Sequence, residues 1–318
     1  MDSLPPIPYA DPAEIAHNFV PFFRVYKDGR VEKFQQAPPV PPSETSSEYP
    51  TTTTTIVRSK DIIVSPETQV GARIFLPKTV KPDETLPVLI YFHGGAFVIE
   101  SAFSIVYHNY LSSIVAEANV IAISVEYRLA PEHRIPACYH DSWAVTKWVA
   151  SHLNRQGTEP WLNNHADFSR MFLAGDSAGA NIAHYMTVKA GQDGLGEGVK
   201  LVGLILMHPY FGKGGVEKLW EFITEDFNGW DDPRLNPMAH PNTCLAGLVC
   251  EKIMLVTSET DFIRDRSLVY YEALKKSGWG GELKFVDIEK DGHVFHILNP
   301  SSDNAGILMK RLVSFLGD

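Results

Sequence analysis

Cysteine is scarce in this 318-residue chain, with Cys138, Cys244 and Cys250 the full complement. An odd, sparse count builds no disulfide framework and points to a reducing compartment. No Cys-x-x-Cys pair or Cys/His cluster has zinc spacing, so no metal and no cofactor is expected. Positive charge is also in short supply. The formal net charge is −10, which argues against a nucleic-acid partner, since that would need a basic face. No apolar run reaches transmembrane length, and no membrane partner is expected. The opening MDSLPPIPYADPAEI lacks a basic n-region and an apolar h-region, so it does not read as a signal peptide. No glycosylation acceptor is present, because Asn299-Pro300-Ser301 is barred by its proline. No internal repeat appears. These absences predict a cytoplasmic location, with the nucleus as the other reading.

Apolar residues are abundant. They make up 44% of the chain, enough for a large core and too many for a disordered chain. The length fits one large α/β domain or two small ones, and a single domain over 1–318 is expected. A short helix is expected at Pro12–Phe19. Phe22–Glu32 reads as two short strands around Asp28-Gly29. Residues 37–54 are rich in Pro, Ser and Thr and read as a surface connection of low order. Ile56–Val64 and Val70–Leu76 read as antiparallel strands. Leu86–Phe92, Val120–Glu126, Met171–Ala174, Leu201–Met207 and Ile253–Thr257 are apolar strand candidates, and Leu283–Ile288 is a further strand candidate. The helix candidates are His108–Ala118, Cys138–Leu153, Ala180–Ala190, Ser267–Ser277 and Asn304–Leu316. Strands alternating with helices, with continuous apolar strands, predict an α/β fold whose mostly parallel central sheet is covered on both faces. In such sheets, active sites lie just beyond the carboxyl ends of the strands.

Chemistry-bearing residues stand at those ends. Met171–Ala174 runs into Gly175-Asp176-Ser177-Ala178-Gly179 and then at once into a helical run. This is the strand–turn–helix context of a Gly-x-Ser-x-Gly nucleophile elbow, whose glycines avoid a β-carbon clash at the sharp turn. After Leu86–Phe92 comes His93-Gly94-Gly95-Ala96-Phe97. The N–H groups of Gly94 and Gly95, with that of Ala178, are expected to form an oxyanion hole. After Ile253–Thr257, Asp261 is placed to orient an imidazole. Asp265 is the rival, but it reads better as a charge in the first turn of the next helix. After Leu283–Ile288, His293 follows Gly292 directly, while His296 already enters apolar sequence. The order Ser177…Asp261…His293 is that of an α/β-hydrolase triad. In it His293 deprotonates Ser177, and Asp261 holds the imidazole tautomer.

On these motifs the chain resembles the α/β-hydrolase fold, within it the hormone-sensitive-lipase-like group, and more closely the plant class I carboxylesterases. That group includes 2-hydroxyisoflavanone dehydratases and related alkaloid cyclases, and the gibberellin receptors are similar. The resemblance is carried by FRVYKDGRVE at Phe23–Glu32, YFHGGAFVIESAF at Tyr91–Phe103 and SVEYRLAPEHRIP at Ser124–Pro136. It continues through WLNNHADFSRMFLAGDSAGANIA at Trp161–Ala183, His208–Phe211, DPRLNP at Asp232–Pro237, Lys276–Leu283 and Gly292–His296. It implies a triad at Ser177, Asp261 and His293, with oxyanion donors at Gly94 and Gly95. It also implies a cap from residues 1–45 and 211–240. The segment Phe211–Leu235 is shorter than relatives often carry and Gly-rich at its start.

Three functions follow from the resemblance. The first is a serine carboxylesterase acting on a small-molecule ester through an acyl-enzyme, working as a monomer or weak dimer. The second is a dehydratase or cyclase that uses the same pocket and base on a polycyclic substrate, and Ser177 does not exclude it. The third is a hormone receptor. The receptors lack the triad histidine, and His293 therefore speaks against that reading.

Overall fold

A strand that is apolar at every position has no face to offer water, so both its faces must be covered. The computed structural model, which describes residues 7–8, 10–34, 36–43, 56–212 and 217–317, meets that demand with two cores on opposite faces of one large sheet. The chain opens with a three-residue 3₁₀ turn, Pro12–Glu14, and strands β1 (Ile15–Phe19), β2 (Phe23–Tyr26) and β3 (Val31–Lys33). There follow β4 (Val57–Ser65), β5 (Val70–Pro77), β6 (Leu86–Phe92), α1 (Ile105–Ala118), β7 (Ile121–Glu126), α2 (Ala137–Ala150) and α3 (Pro160–His165). Next come β8 (Ala166–Asp176), α4 (Ala178–Asp193), β9 (Leu201–Met207) and α5 (Glu217–Ile223). The chain closes with β10 (Lys252–Ser258), α6 (Arg264–Lys276), β11 (Glu282–Ile288), α7 (Phe295–Leu298) and α8 (Asp303–Gly317).

Eight strands form the main sheet in the order β11-β10-β9-β8-β6-β7-β5-β4. The six from β11 to β7 are parallel, and β5 and β4 add an antiparallel edge. Alternation of side chains sorts each apolar run between the two cores. Val88, Ile90 and Phe92 of β6 face one core with α2, α4 and α6, while Leu89 and Tyr91 face the other with α1 and α8. Because the six strands are parallel, their carboxyl ends share one edge. The residues following β6, β8, β9, β10 and β11 are therefore neighbours.

Two expectations change. The Pro12–Phe19 helix is a single 3₁₀ turn followed by a strand. The Asp11 side chain accepts from Ala13 N–H at 2.8 Å and starts the turn, but Ile15 is already extended. Ile15–Phe19 then pairs with β2 in a separate three-stranded sheet, so tertiary pairing overrides the local helical tendency. The second change concerns the Pro- and Ser-rich connection. Residues 44–55 lie outside the described residues, but 37–43 are tied down. Val40 N–H donates to Phe103 O (2.9 Å), Ile105 N–H donates to Pro38 O (2.9 Å), and Ser43 and Ser59 exchange backbone-to-hydroxyl bonds. The helices α3 and α5 have no counterpart among the sequence expectations.

The N-terminal sheet meets α5 through aromatic contacts. Phe222 lies 4.6 Å from His17 and 4.8 Å from Phe19, centroid to centroid. Trp220, fully buried, packs edge-on to Phe97 at 5.7 Å. Thus α5 links the N-terminal strands to the loop that follows β6.

Candidate active site

Ser177 stands between β8 and α4 with φ 52° and ψ −116°, a conformation that few non-glycine residues adopt. The chain can turn so sharply because of Gly175 and Gly179. A β-carbon on Gly179 would fall on the carbonyl oxygen of Phe92, and one on Gly175 would fall on the backbone of Gly179. The turn is pinned by Ser177 N–H donating to Met207 O at 2.8 Å.

The three loops that carry Ser177, Asp261 and His293 converge. Ser177 Oγ lies 3.0 Å from His293 Nε2, and His293 Nδ1 lies 2.9 Å from Asp261 Oδ1. Asp261 Oδ1 also accepts from Ile263 N–H at 3.0 Å. Burial alone would raise the Asp261 carboxyl, but hydrogen bonds from His208 and His293 outweigh it and hold the group well below the usual carboxylate range. Asp265 falls in the first turn of α6, and His296 is buried in α7.

His208 is the residue that sequence reasoning missed. Its Nδ1 is 2.8 Å from Asp261 Oδ2, and both side chains are fully buried. It follows β9 directly, so the strand-end rule that located the other groups points to it as well. Burial holds its imidazole below the ordinary range, with Asp261 pulling the other way. Among the described residues, one grouping of three could share a metal ion. It is His208, Asp261 and His293, with ligand atoms within 4.8 Å of one another. The Nδ1 atoms of both histidines are already hydrogen-bonded to the Asp261 carboxylate, so an ion held by those nitrogens would have to displace their protons.

The loop after β6 corrects one expectation. Gly94 N–H is not free to hold an oxyanion, because it donates to Tyr107 Oη at 2.8 Å. That hydroxyl in turn donates to Asp176 Oδ2 at 3.0 Å, and Tyr91 Oη donates to Asp176 Oδ1 at 2.8 Å. A β-carbon on Gly94 would fall on the Asp176 carboxylate, so the glycine is needed for close approach rather than for donation. The N–H groups of Gly95, Ala96 and Ala178 make no hydrogen bond to the described residues. Gly95, Ala96 and Phe97 all have positive φ (98°, 54° and 66°), a run of strain of the kind held at functional sites. His93 braces this loop. Its Nδ1 donates to Gly94 O at 2.8 Å, and its ring stacks on Tyr127 at 4.2 Å. Burial pushes its imidazole down to about 4, so it is neutral around neutral pH.

The alpha/beta hydrolase fold family matches residues 89–219 and 209–297. The chain belongs to this family. It is 44% identical to probable carboxylesterase 7 of Arabidopsis thaliana, over 95% of this chain and 98% of that one. It is 41% identical to a 2-hydroxyisoflavanone dehydratase of Glycine max, over 95% of this chain and 99% of that one. Among solved structures, a hyperthermophilic esterase from Pyrobaculum calidifontis superposes with a TM-score of 0.64 at 26% identity, covering 82% of this chain and 85% of that one. Among the described residues of this α/β hydrolase, no helix is long and apolar enough to cross a membrane.

Proposed function

We propose that this α/β hydrolase is a serine carboxylesterase of small carboxylic esters, with Ser177 as nucleophile, His293 as general base and acid, and Asp261 as orienting carboxylate. The observation that carries the reading is the unbroken chain from Ser177 Oγ to His293 (3.0 Å) to Asp261 (2.9 Å) behind a strained elbow. Ser177 Oγ attacks the ester carbonyl while His293 Nε2 takes its proton. The tetrahedral oxyanion sits against the N–H groups of Gly95, Ala96 and Ala178, each worth about 3–4 kcal/mol to the transition state. Collapse expels the alcohol, which takes the proton back from His293. Water, activated by the same base, then releases the acid from the acyl-enzyme.

A fluorophosphonate probe labels Ser177 alone. Ser177→Ala and His293→Ala each lower short-chain ester turnover by about 10³-fold or more, and the double variant adds little, because neither residue works without the other. Full activity in Ser177→Ala rejects the assignment.

The identity with the Glycine max dehydratase supports a second reading, elimination from a polycyclic substrate in the same pocket. Elimination uses the base and the oxyanion donors but forms no acyl-enzyme. A pre-steady-state burst with an activated ester supports hydrolysis. Feeble ester turnover alongside conversion of a 2-hydroxyisoflavanone without a burst supports elimination.

The chain acts as one domain, with residues 1–45 and 211–240 as a cap over Ser177. The exposed pattern of β1, against complete burial of β6, supports a cap looser than the sheet. Backbone amides of β1 then exchange with solvent faster than those of β6, and equal protection contradicts the cap. The protein resides in the cytoplasm as a monomer or weak dimer, and fluorescent-fusion imaging and sedimentation test the two statements.

A further inference from the structure

We propose that His208 is a positioning residue for ester hydrolysis, fixing the Asp261 carboxylate so that Oδ1 faces His293. This rests on the esterase reading of the same site. Asp261 Oδ1 receives two donors, His293 Nδ1 (2.9 Å) and Ile263 N–H (3.0 Å). Oδ2 receives His208 Nδ1 at 2.8 Å. Without that bond a buried carboxylate oxygen would lose the donor it has in the structure, at a cost comparable to a lost charged hydrogen bond. The carboxylate would then be drawn to turn toward other donors, and the imidazole that depends on it would lose its orientation.

His208 is itself held from several directions. Its backbone N–H donates to Val256 O at 2.8 Å, and its φ is 51°. Its ring stacks on His296 at 5.6 Å with an 11° interplanar angle and meets Phe295 edge-on at 5.7 Å. The titratable groups facing it are Asp261 after β10, His293 and Asp291 after β11, and His296 in α7, with Asp176 acting on His293 across the elbow. Because a carboxylate can only accept, the bond to Oδ2 requires the proton of His208 to sit on Nδ1. Nε2 is then a lone pair, and among the described residues it has no partner. A neutral imidazole suits this role better than a cation. It supplies a donor to Asp261 without a full positive charge that would compete with the imidazolium forming on His293 in the transition state.

Histidine selectively labelled with nitrogen-15 reads the tautomer in the wild-type protein. Nδ1–H is expected at His208, and an Nε2–H tautomer or a charged ring around neutral pH overturns the proposal. Two variants read its consequence. His208→Phe keeps an aromatic ring but no donor, whereas His208→Asn keeps a donor at the δ position and tolerates positive φ. With a short-chain p-nitrophenyl ester, kcat of His208→Phe falls by about 10–100-fold while KM stays within about threefold. The acid limb of its kcat/KM profile moves to higher pH, since an Asp261 with fewer donors attracts the proton on its partner imidazole more strongly. His208→Asn restores most of kcat and the wild-type limb. If His208→Phe does not fold, the tautomer and the His208→Asn profile decide. A folded His208→Phe with wild-type kcat and profile, or a folded His208→Asn as impaired as His208→Phe, makes His208 merely structural and leaves the esterase reading standing. That reading fails separately, through activity in Ser177→Ala.

Discussion

Two buried carboxylates flank Ser177, and they are pushed in opposite directions. Asp176, at the end of β8, is pushed up to about 6 by burial, against hydrogen bonds from Tyr91 and Tyr107 and the charge of His293. Asp261, after β10, is held well below the usual range although burial would raise it too. Burial is common to both, so the donors make the difference. Phenol hydroxyls whose own ionisation is pushed far upward stay neutral donors. Imidazoles, one of which takes up a proton in the proposed reaction, stabilise the anion further. The elbow side is thus a neutral brace and the triad side an electrostatic one.

The largest test of that contrast is activity. Asp261→Asn lowers kcat by about 10³–10⁴-fold, because the amide cannot accept from both His293 and His208 and forces a wrong tautomer on one of them. Asp176→Asn lowers it by less than about tenfold, since its partners position the loop and do not take up the proton. Steady-state turnover of a short-chain ester checks both, and equal losses erase the distinction.

Stability against pH comes next. The folded-state pKa of Asp176 lies above its unfolded value, so the folded protein binds this proton more tightly. Its contribution therefore favours folding at about pH 4 and is lost as pH rises through about 6, by up to about 3 kcal/mol. The folded value of Asp261 is depressed. Its contribution is present above about pH 4 and is lost as pH falls below the unfolded value. In urea unfolding across this range, the stability of wild type relative to Asp176→Asn falls with rising pH. Relative to Asp261→Asn it rises from strong acid to about pH 4 and then levels. Parallel curves contradict the assignment of the two shifts.

The sheet was legible because its inner strands, such as β6 and β9, are continuous apolar runs, and the elbow was legible because the turn demands glycines on both sides of Ser177. Asp261 and His293 were legible because each stands in the loop just beyond a strand end, after β10 and β11. His208 follows a buried strand end too, but in LVGLILM-His-Pro no glycine adjoins the histidine and no loop-length cue sets it apart from an ordinary buried histidine. The misassignment at Gly94 has a different origin. Two adjacent glycines announce a loop that approaches something closely, but which N–H turns outward depends on Tyr107, which arrives from α1, thirteen residues downstream of Gly94. The first strand was read as a helix because its pairing partner, β2, is a tertiary fact.

The smallest expected effects separate the two tyrosines of the neutral brace. Tyr91→Phe and Tyr107→Phe each remove one donor to Asp176, and each lowers stability by about 1–2 kcal/mol. They differ in what else is lost. The Tyr91 hydroxyl serves the carboxylate at 2.8 Å, whereas that of Tyr107 serves it at 3.0 Å and also accepts Gly94 N–H at 2.8 Å. Its removal takes from Gly94 N–H its hydroxyl partner at the start of the loop that carries Gly95 and Ala96. That loop holds three successive positive-φ residues and returns to lower strain if its anchor is weakened. Donors displaced by a fraction of an ångström hold an oxyanion less well. Tyr107→Phe should therefore lower kcat by about tenfold, with Tyr91→Phe within about twofold of wild type, KM changing little in either. Equal kcat values in the two variants would show that Gly94 keeps its place without Tyr107, and would confine the hydroxyl's role to the stability of Asp176.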